Sequence, residues 1–324
     1  MGCAGPVQRS EQAPMLSMTR HNDLLEIRTP AKINVGLRVL GKRADGYHEI
    51  ESLVVAIDLA DTLEVRPAED DRLTLSVFPE TSKVPADDSN LVLRAARLLR
   101  QEAGIAAGAY ITLHKKIPAG RGLGGGSSDA AAALVVLNEL WQIGLDRTRL
   151  VELASRLGSD VPFFLRGPVC LMRGRGEVLE PVDCRLTTGV LLVVPPFPLA
   201  TVDVYGRWGG GLTTARNGAR LWLSLLRDGK LSDLGRTLVN DLEAPALSLR
   251  SELRQYREAL LNAGGSCVSM TGSGSAWFAL LPSCEEARQV AQRLHLEADA
   301  EVHIVAPWNS VASSANSGKG QPWT

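Results

Sequence analysis

One glycine-rich segment restricts the fold and the chemistry of this chain more than any other feature. Residues 118–132 read PAGRGLGGGSSDAAA, with five glycines within seven positions directly before an apolar run typical of a buried helix. Glycines let the backbone turn and approach a ligand closely, because no Cβ stands in the way. Ser127 or Ser128 can cap the helix, whose free N–H groups form an anion site. The segment therefore predicts a strand–loop–helix unit that binds phosphate rather than a flexible linker.

The kind of phosphate site is narrowed by two motif comparisons. The chain has no G-x-x-x-x-G-K-[ST] segment, so it is not a Walker P-loop. Residues 120–125 match G-x-G-x-x-G, the dinucleotide fingerprint, but no acidic residue ends a second strand about 20 residues later, and no further βαβ units follow. Asp146, near that distance, is predicted to lie in a turn between helices. A dinucleotide-binding oxidoreductase therefore stays as a distant alternative.

Charge and cysteine content exclude several other classes. The chain has 35 Lys and Arg against 36 Asp and Glu, so no basic field favours nucleic acid or an anionic membrane. Its longest apolar runs are far shorter than the roughly 20 residues of a membrane helix. Five cysteines without a C-x-x-C pair argue against a disulfide framework or a zinc site and favour a reducing compartment, which we expect to be the cytoplasm.

The order of the predicted elements indicates an α+β protein with two lobes. Predicted strands are 32–40, 50–57, 61–66, 72–77, 109–114, 169–173, 190–194, 267–270, 276–281 and 300–305. Predicted helices are 90–101, 127–142, 147–157, 216–227, 232–239, 248–263 and 284–294. We expect an N-terminal lobe at 23–165 and a C-terminal lobe at 166–306. Residues 1–22 contain no apolar signal region. We expect them to be a disordered extension, or the product of a start assigned too early, with Met15 or Met18 as the true first residue. Residues 307–324 are expected to be a disordered tail.

Four further segments carry polar residues where a core has no use for them. They contain Lys32 and Asn34 in an early strand, His48 after a turn, Asp160 before an apolar run, and the Gly/Ser segment 271–275. Each has an ordinary interpretation alone: a solvated strand end, a surface histidine, a turn residue and a hairpin turn. Together with a phosphate loop they supply a cation, a carboxylate and two anion-binding loops, which is the equipment of a phosphotransferase.

These segments, in this order, resemble the GHMP kinases, a family of small-molecule kinases. PAKIN at 30–34 matches the N-terminal motif, the glycine loop followed by paired serines matches the central motif, and TGSGS at 271–275 matches the late motif. The resemblance spans residues 27–305. RADGYHE at 43–49 and GSDVPFF at 158–164 resemble the members that phosphorylate the 2-hydroxyl of a cytidyl diphosphate sugar alcohol in isoprenoid biosynthesis.

The resemblance implies the two-lobed GHMP kinase fold. Its N-terminal lobe has a ribosomal-protein-S5-like β-α-β topology and its C-terminal lobe is ferredoxin-like. Asp160 resembles the base that takes the proton of the acceptor hydroxyl. Lys32 resembles the lysine that keeps this carboxylate ionised and offsets charge on the phosphoryl group. The donor implied is ATP with Mg²⁺ carried on its phosphates, without a metal site built from protein side chains.

The resemblance also assigns binding residues for each substrate. For ATP they are Pro118, Ala119, Gly120, Arg121, Gly122, Leu123, Gly124, Gly125, Gly126, Ser127 and Ser128, with Asn90 and Lys115 around the base and sugar. For the cytidyl substrate Tyr47 and Tyr205 stack on the base, His48 contacts its edge, and Asn34 and Thr201 contact the remainder. Arg121 stands where relatives have Ala or Gly, and its cation either reaches a phosphate or points into solvent.

Another kinase of this fold, for homoserine or mevalonate, stays as an alternative. It would be favoured if Tyr47, His48 and Tyr205 did not line one pocket. The expected partners are the two small-molecule substrates, with no nucleic acid and no membrane, in a monomer or weak homodimer.

Overall fold

In the part of the chain that the structure describes, the fold is α+β, as predicted, with two sheets and helices packed against them. The computed structural model describes residues 15–210, 218–296 and 299–308. Its strands are β1 (Met18–His21), β2 (Leu24–Lys42), β3 (His48–Pro67), β4 (Leu73–Phe78), β5 (Ala109–His114), β6 (Val169–Gly174), β7 (Val178–Pro181), β8 (Gly189–Val194), β9 (Val268–Met270), β10 (Trp277–Leu281) and β11 (Glu301–Val305). Its helices are α1 (Leu91–Ala103), α2 (Gly125–Leu140), α3 (Arg147–Leu157), α4 (Phe163–Arg166), α5 (Thr201–Gly206), α6 (Ala219–Arg227), α7 (Leu231–Thr237), α8 (Glu243–Leu249), α9 (Leu253–Asn262) and α10 (Cys284–Gln292).

The first sheet is organised around two long antiparallel strands, β2 and β3. Its strand order is β1-β2-β3-β5-β4, with β6 also paired to β3, and β7 paired to β6. The predicted strands 50–57 and 61–66 are one continuous strand, β3, which pairs with β6 near its start and with β5 near its end. Register shifts in the β2–β3 pairing lie between Pro30 and Ala31 and between Asn34 and Gly36. Between these irregularities Ala31 and Ile33 pack in the core, whereas Lys32 and Asn34 alternate with them as buried polar residues.

Helix α2 forms the centre of the N-terminal half. Every residue from Ser128 to Asn138 is buried, so the helix is covered around its whole girth, as its apolar sequence predicts. Two neighbouring helices have side-chain caps: Asn90 accepts a hydrogen bond from the N–H of Val92, and Asp146 accepts one from the N–H of Arg149. Such a cap contributes about 1 kcal/mol and fixes where each helix begins.

The second sheet has the strand order β11-β8-β10-β9, with all pairs antiparallel. All residues of β8 and β10 are buried. The predicted helix 248–263 is wrong as a single element, because α8 ends before Arg250, whose backbone is extended at φ −142°. The guanidinium of Arg250 lies 3.9 Å from the ring centroid of Phe197. The local sequence pattern cannot predict this contact, because Phe197 lies far away in the chain. Of the predicted helix 216–227, residues 216–217 lie outside the described residues.

Strands β6 and β7 join the first sheet, although 169–173 was expected in the C-terminal lobe. Leu53 pairs with Leu171 and Val54 with Cys170, so the chain completes the first sheet before it enters the second. The lobe limits at 165 and 166 stay a prediction. No helix in the described ranges is both long and apolar enough to cross a membrane.

The expectation of disorder at both ends is wrong for the residues that the structure describes there. Met15 and Leu16 are buried, and β1 pairs with β2. The indole Nε1 of Trp308 donates to the carbonyl of Met15 at 2.9 Å, and the Trp308 side chain is buried too. Burial of these apolar side chains holds the two ends together. The remaining residues of the two predicted segments, 1–14 and 309–324, lie outside the described residues.

Candidate active site

A cleft of about 1330 Å³ brings together nearly all of the predicted site residues. Its volume exceeds the roughly 300–1,000 Å³ of an ordinary small-ligand site, so it has room for two ligands side by side. The predicted residues that line it are Lys32, Asn34, Tyr47, His48, Asn90, Lys115, Pro118, Ala119, Gly120, Arg121, Gly122, Leu123, Gly124, Gly125, Gly126, Ser127, Asp160, Thr201 and Tyr205. Ser128 is the exception: it is fully buried in the first turn of α2, and its Oγ has no hydrogen-bond partner among the described residues.

The glycine loop passes between Lys32 and the Gly/Ser segment 271–275. Gly122 and Gly124 have φ of +78° and +72°, the left-handed region that favours glycine. A Cβ on Gly122 would lie 2.3 Å from the carbonyl oxygen of Thr271, and one on Gly124 would lie 2.9 Å from Cγ of Lys32. The loop therefore depends on glycine for its contacts on both sides. It ends at the N-terminus of α2, where unpaired N–H groups and the helix dipole favour an anion.

Lys32 and Asp160 form an ion pair at the edge of the cleft. Nζ of Lys32 lies 3.4 Å from Oδ2 of Asp160, and it donates to Oδ1 of Asn34 at 2.6 Å. The Lys32 side chain is only 6% exposed, whereas that of Asp160 is 37% exposed. The backbone N–H of Lys32 donates to the carbonyl of Leu123 at 2.9 Å. The ammonium group is thus fixed by the sheet and the glycine loop, while the carboxylate it faces is open to a ligand.

Asn34 connects this pair to the rest of the site. Its Nδ2 donates to Oγ of Ser52 at 2.9 Å, and its backbone N–H donates to Oγ1 of Thr271 at 3.0 Å. Oγ1 of Thr271 in turn donates to the carbonyl of Gly122 at 3.2 Å. Asn240, which the sequence analysis did not single out, holds the Gly/Ser segment by donating to the carbonyl of Gly272 at 2.9 Å. Together these bonds fix the catalytic candidates relative to both loops.

Aromatic side chains gather at another part of the cleft. The His48 ring lies 4.9 Å from that of Tyr205 and meets the ring of Trp208 edge-on at 5.3 Å. Burial, and then the charge of Lys42, lower the pKa of His48, which favours a neutral imidazole. Burial raises the pKa of Tyr205 above its usual range, and the charge of Asp160 adds to this effect. The rings of His48, Tyr205 and Trp208 thus form a flat surface with hydrogen-bonding edges in the same cleft as the Lys32–Asp160 pair.

Trp208 and Arg175 also line this part of the cleft and were missed in the sequence. The guanidinium of Arg175 lies 4.9 Å from the ring centroid of Tyr47. Trp208 follows Tyr205 by three residues, so a search for aromatic residues near the quoted tyrosine would have found it. Arg175 lies between β6 and β7, and no local pattern connects it with Tyr47.

A buried ionic network lies beneath the start of α2. Nζ of Lys115 donates to Asp61 and, at 2.8 Å, to Oδ2 of Asp129, whose Oδ1 accepts from Thr29 at 2.7 Å. Asp61 also accepts from the N–H of Ile117 at 2.8 Å. Burial raises the pKa of Asp129 to about 7, although Lys115 opposes this shift. Burial acts to lower the pKa of Lys115, but the charges of Asp129 and Asp61 outweigh it and raise that pKa. Asp129 was part of the quoted motif but received no role.

Two of the residues predicted around the nucleotide base have their side chains engaged by the protein. Lys115 belongs to the network just described. Asn90 caps α1 and its Nδ2 donates to the carbonyl of Pro85 at 2.7 Å. Both still line the cleft, so their side chains shape its wall. In the described residues no group of three His, Cys, Asp or Glu side chains is arranged to hold a metal ion.

Comparison with known proteins gives the same family from sequence and from structure. The models for the GHMP kinases N terminal domain and the GHMP kinases C terminal match residues 90–168 and 222–299. The 4-diphosphocytidyl-2-C-methyl-D-erythritol kinase of Pelotomaculum thermopropionicum is 43% identical over 279 residues, covering 86% of this chain and 96% of the relative. A crystal structure titled 4-(cytidine 5'-diphospho)-2C-methyl-D-erythritol kinase matches with a TM-score of 0.71 and 36% identity, covering 86% of this chain and 98% of that one. The homoserine kinase structure from Cytophaga hutchinsonii also matches with a TM-score of 0.71, at 20% identity and with coverage of 89% and 96%.

Proposed function

The chain belongs to the GHMP kinases, and within this family we propose that it phosphorylates the 2-hydroxyl of 4-diphosphocytidyl-2-C-methyl-D-erythritol with ATP. This reaction belongs to the non-mevalonate pathway to isopentenyl diphosphate. The observation that carries the proposal is that Tyr47, His48 and Tyr205 line the same cleft as the Lys32–Asp160 pair. Family membership excludes the dinucleotide-binding oxidoreductase considered from the sequence. The shared cleft speaks against homoserine or mevalonate as the acceptor, because neither carries a base.

We assign the phosphates of ATP to the glycine loop and the first turn of α2. The left-handed glycines Gly122 and Gly124 leave room for a close approach of backbone N–H groups to phosphate oxygens. Mg²⁺ carried by the nucleotide would be held mainly by phosphate and water, and when bound it neutralises phosphate charge. Ser128 was predicted near the nucleotide, but its fully buried Oγ does not line the cleft, so we assign no protein side chain to the metal.

We assign proton transfer to Asp160 and charge compensation to Lys32. The partly exposed carboxylate of Asp160 accepts the proton of the acceptor hydroxyl. In a largely dissociative transfer the hydroxyl loses its proton late, so a carboxylate is a sufficient acceptor. The buried ammonium group of Lys32 holds the Asp160 carboxylate in place and offsets charge on the transferring phosphoryl group. Most of the acceleration then comes from positioning of the two substrates.

We assign the cytosine to the aromatic part of the cleft. Tyr47 and Tyr205 offer stacking faces, and a neutral His48 offers one donor and one acceptor to the base edge. Asn34 and Thr201 are the polar side chains assigned to the diphosphate and sugar-alcohol portion. A cytoplasmic location and a monomeric or weakly dimeric state belong to the same proposal.

The test is an ADP-release assay that offers 4-diphosphocytidyl-2-C-methyl-D-erythritol, homoserine and mevalonate in parallel. Lys32→Ala serves as the inactive reference. Lys116→Ala is the matched control, because its side chain is exposed and does not line the cleft. We expect turnover of the cytidyl substrate alone, lost in Lys32→Ala and retained in Lys116→Ala. Turnover of homoserine or mevalonate instead would refute the assignment of the aromatic part of the cleft to cytosine.

A further inference from the structure

Arg121 makes contacts that a free phosphate-binding cation would not need. Its Nε donates to the carbonyl of Pro195 at 3.0 Å, and its NH1 donates to the carbonyl of Ala119 at 3.2 Å. Pro195 directly follows β8, so the first of these bonds joins the glycine loop to the C-terminal half of the chain. Hydrogen bonds from a charged donor are roughly twice as strong as neutral ones, which makes this an effective link.

The backbone around Arg121 is joined to the same region. The N–H of Leu199 donates to the carbonyl of Gly120 at 3.3 Å, and the N–H of Ala276 donates to the carbonyl of Arg121 at 3.2 Å. A Cβ on Gly120 would lie 3.0 Å from Cβ of Pro198, so the two segments are in direct contact. Residues 119–122 and 195–199 therefore form one packed unit, which we call the loop junction.

The loop junction leads directly into helix α5, which lines the aromatic part of the cleft. Residue 199 is followed by Ala200, the N-cap of α5, and α5 carries both Thr201 and Tyr205. Oγ1 of Thr201 lies 3.0 Å from Oγ of Ser273 in the Gly/Ser segment. Oγ of Ser275 donates to the carbonyl of Phe197 at 2.6 Å. A displacement of the glycine loop is thus transmitted through a short, hydrogen-bonded segment to residues assigned to the second substrate.

We propose that Arg121 is a positioning residue that fastens the nucleotide loop to the segment leading into α5, so that binding of ATP and binding of the cytidyl substrate favour each other. The inference rests on the proposed function, because it uses both substrate assignments. A bound nucleotide that orders residues 119–122 also orders residues 195–201. The cytidyl substrate then binds to a site that is already ordered. Coupling of this kind is reciprocal by thermodynamic necessity.

The experiment measures the affinity for cytidine 5'-diphosphate with and without a non-hydrolysable ATP analogue and Mg²⁺, by titration calorimetry. We expect the wild-type chain to bind the cytidine probe about fivefold or more tightly when the analogue is present, which is the lower range of typical coupling. Arg121→Ala should reduce this factor to below about twofold. Arg293→Ala is the matched control, because Arg293 also donates Nε to a backbone carbonyl, that of Ala263, but does not line the cleft.

Two further variants keep the outcome decisive. Arg121→Met retains the apolar stem and removes the donors, so it replaces Arg121→Ala if that variant does not fold. Arg121→Lys retains the charge without the fork of donors. A weaker affinity for the ATP analogue alone, restored by Arg121→Lys, would overturn the inference in favour of a direct phosphate contact.

The same data separate this inference from the proposed function. Equal affinities with and without analogue in the wild type, or unchanged coupling in Arg121→Ala, would overturn the inference while turnover of the cytidyl substrate persists. If the wild type neither binds the cytidine probe nor turns over the cytidyl substrate, the proposed function fails, and the inference fails with it.

Discussion

Substitution of Gly124 by alanine tests whether the glycine loop fixes Lys32, the lysine proposed to offset phosphoryl charge. Gly124 has φ +72°, so an alanine there occupies the left-handed region at a cost of about 1–2 kcal/mol. Its new Cβ would also lie 2.9 Å from Cγ of Lys32 and 3.2 Å from Cζ of Phe164. Carbon atoms pack at about 3.5–4.0 Å, so the stem of Lys32 has to move by roughly 0.6 Å or more.

This movement displaces the stem that carries Nζ, the atom of Lys32 that faces Asp160. Nζ of Lys32 lies 3.4 Å from the carboxylate, and its other contact is the hydrogen bond to Asn34. A misplacement of about 1 Å can cost about 100-fold in rate, so a shift near half of that should lower kcat by about tenfold. Gly124→Ala is therefore expected to lose about 1–2 kcal/mol of unfolding free energy and about tenfold in kcat.

Gly144→Ala separates the two effects. Gly144 also has a left-handed backbone, at φ +75°, but nothing lies within 4 Å of its Cβ position, and it does not line the cleft. Urea unfolding followed by tryptophan fluorescence should give Gly124→Ala a loss of stability at least as large as that of Gly144→Ala, because only its Cβ also meets Lys32 and Phe164. The ADP-release assay should give Gly144→Ala the kcat of the wild type. If Gly124→Ala retained a kcat within twofold of Gly144→Ala, the position of Lys32 would not depend on this glycine and the argument would be refuted.

Three further predictions concern the remaining parts of the cleft. Asp160→Asn should lower kcat by at least about 100-fold and leave the dissociation constant for an ATP analogue unchanged. If the variant were as active as the wild type, Asp160 would not be the base. Tyr205→Ala should raise KM for the cytidyl substrate about tenfold, since stacking on a base contributes about 1–3 kcal/mol. KM for ATP should rise less. If KM for ATP rose more than KM for the cytidyl substrate, Tyr205 would be a packing residue. Burial and the charge of Lys42 lower the pKa of His48 below 6.5, so the ring stays neutral until the pH falls to that lowered pKa. We therefore expect KM for the cytidyl substrate to rise only at pH values below this pKa. His48→Gln should abolish this rise in KM. A KM that rises equally in His48→Gln would contradict this.

Elements with an uninterrupted local pattern were predictable to the residue. β5 and α3 have the bounds that their periodicity predicts, because each presents one clear apolar face or stripe and α3 has a capping Asp146. α2 begins two residues before the predicted start at 127, since Gly125 and Gly126 continue the helix without side chains that signal it. In these cases the information is local, and a single sequence contains it.

The long strand β3 shows what local patterns cannot supply. The segment around Asp58 and Asp61 breaks the apolar alternation and therefore divides the strand in the sequence prediction. In the fold Asp61 is fully buried, because Lys115 and two backbone N–H groups satisfy its carboxylate. A buried carboxylate is tolerated only with such partners, and here the partners lie more than fifty residues away. Trp308 illustrates the same limit, since its partner Met15 lies at the other end of the chain.

The chemistry of the site was more predictable than its geometry. Lys32, Asp160 and the glycine loop were assigned from motif context, and the fold brings them within one cleft. What the motifs did not assign was the support around them: Asn240, which no motif contained, holds the Gly/Ser segment, and Asp129, which stood in the glycine motif without a role, binds Lys115. These residues act on the site through other residues, so their importance depends on which segments the fold places side by side.

The overall shape of the protein cannot identify its substrate, since a homoserine kinase and a 4-(cytidine 5'-diphospho)-2C-methyl-D-erythritol kinase resemble it equally well. The glycine loop and the Lys32–Asp160 pair serve any acceptor hydroxyl, because phosphoryl transfer requires mainly positioning and charge compensation. We therefore expect discrimination to come from the segments that supply the other part of the cleft, which are the turn between β2 and β3 with the first residue of β3, and the helix α5. These carry Tyr47, His48 and Tyr205, and a partly buried His48 with a lowered pKa next to a tyrosine ring suits a flat base with a polar edge better than a small amino acid or a hydroxy acid. Under the proposed function a few side chains on two short segments select the acceptor, and we expect substitutions there to change the substrate without changing the fold.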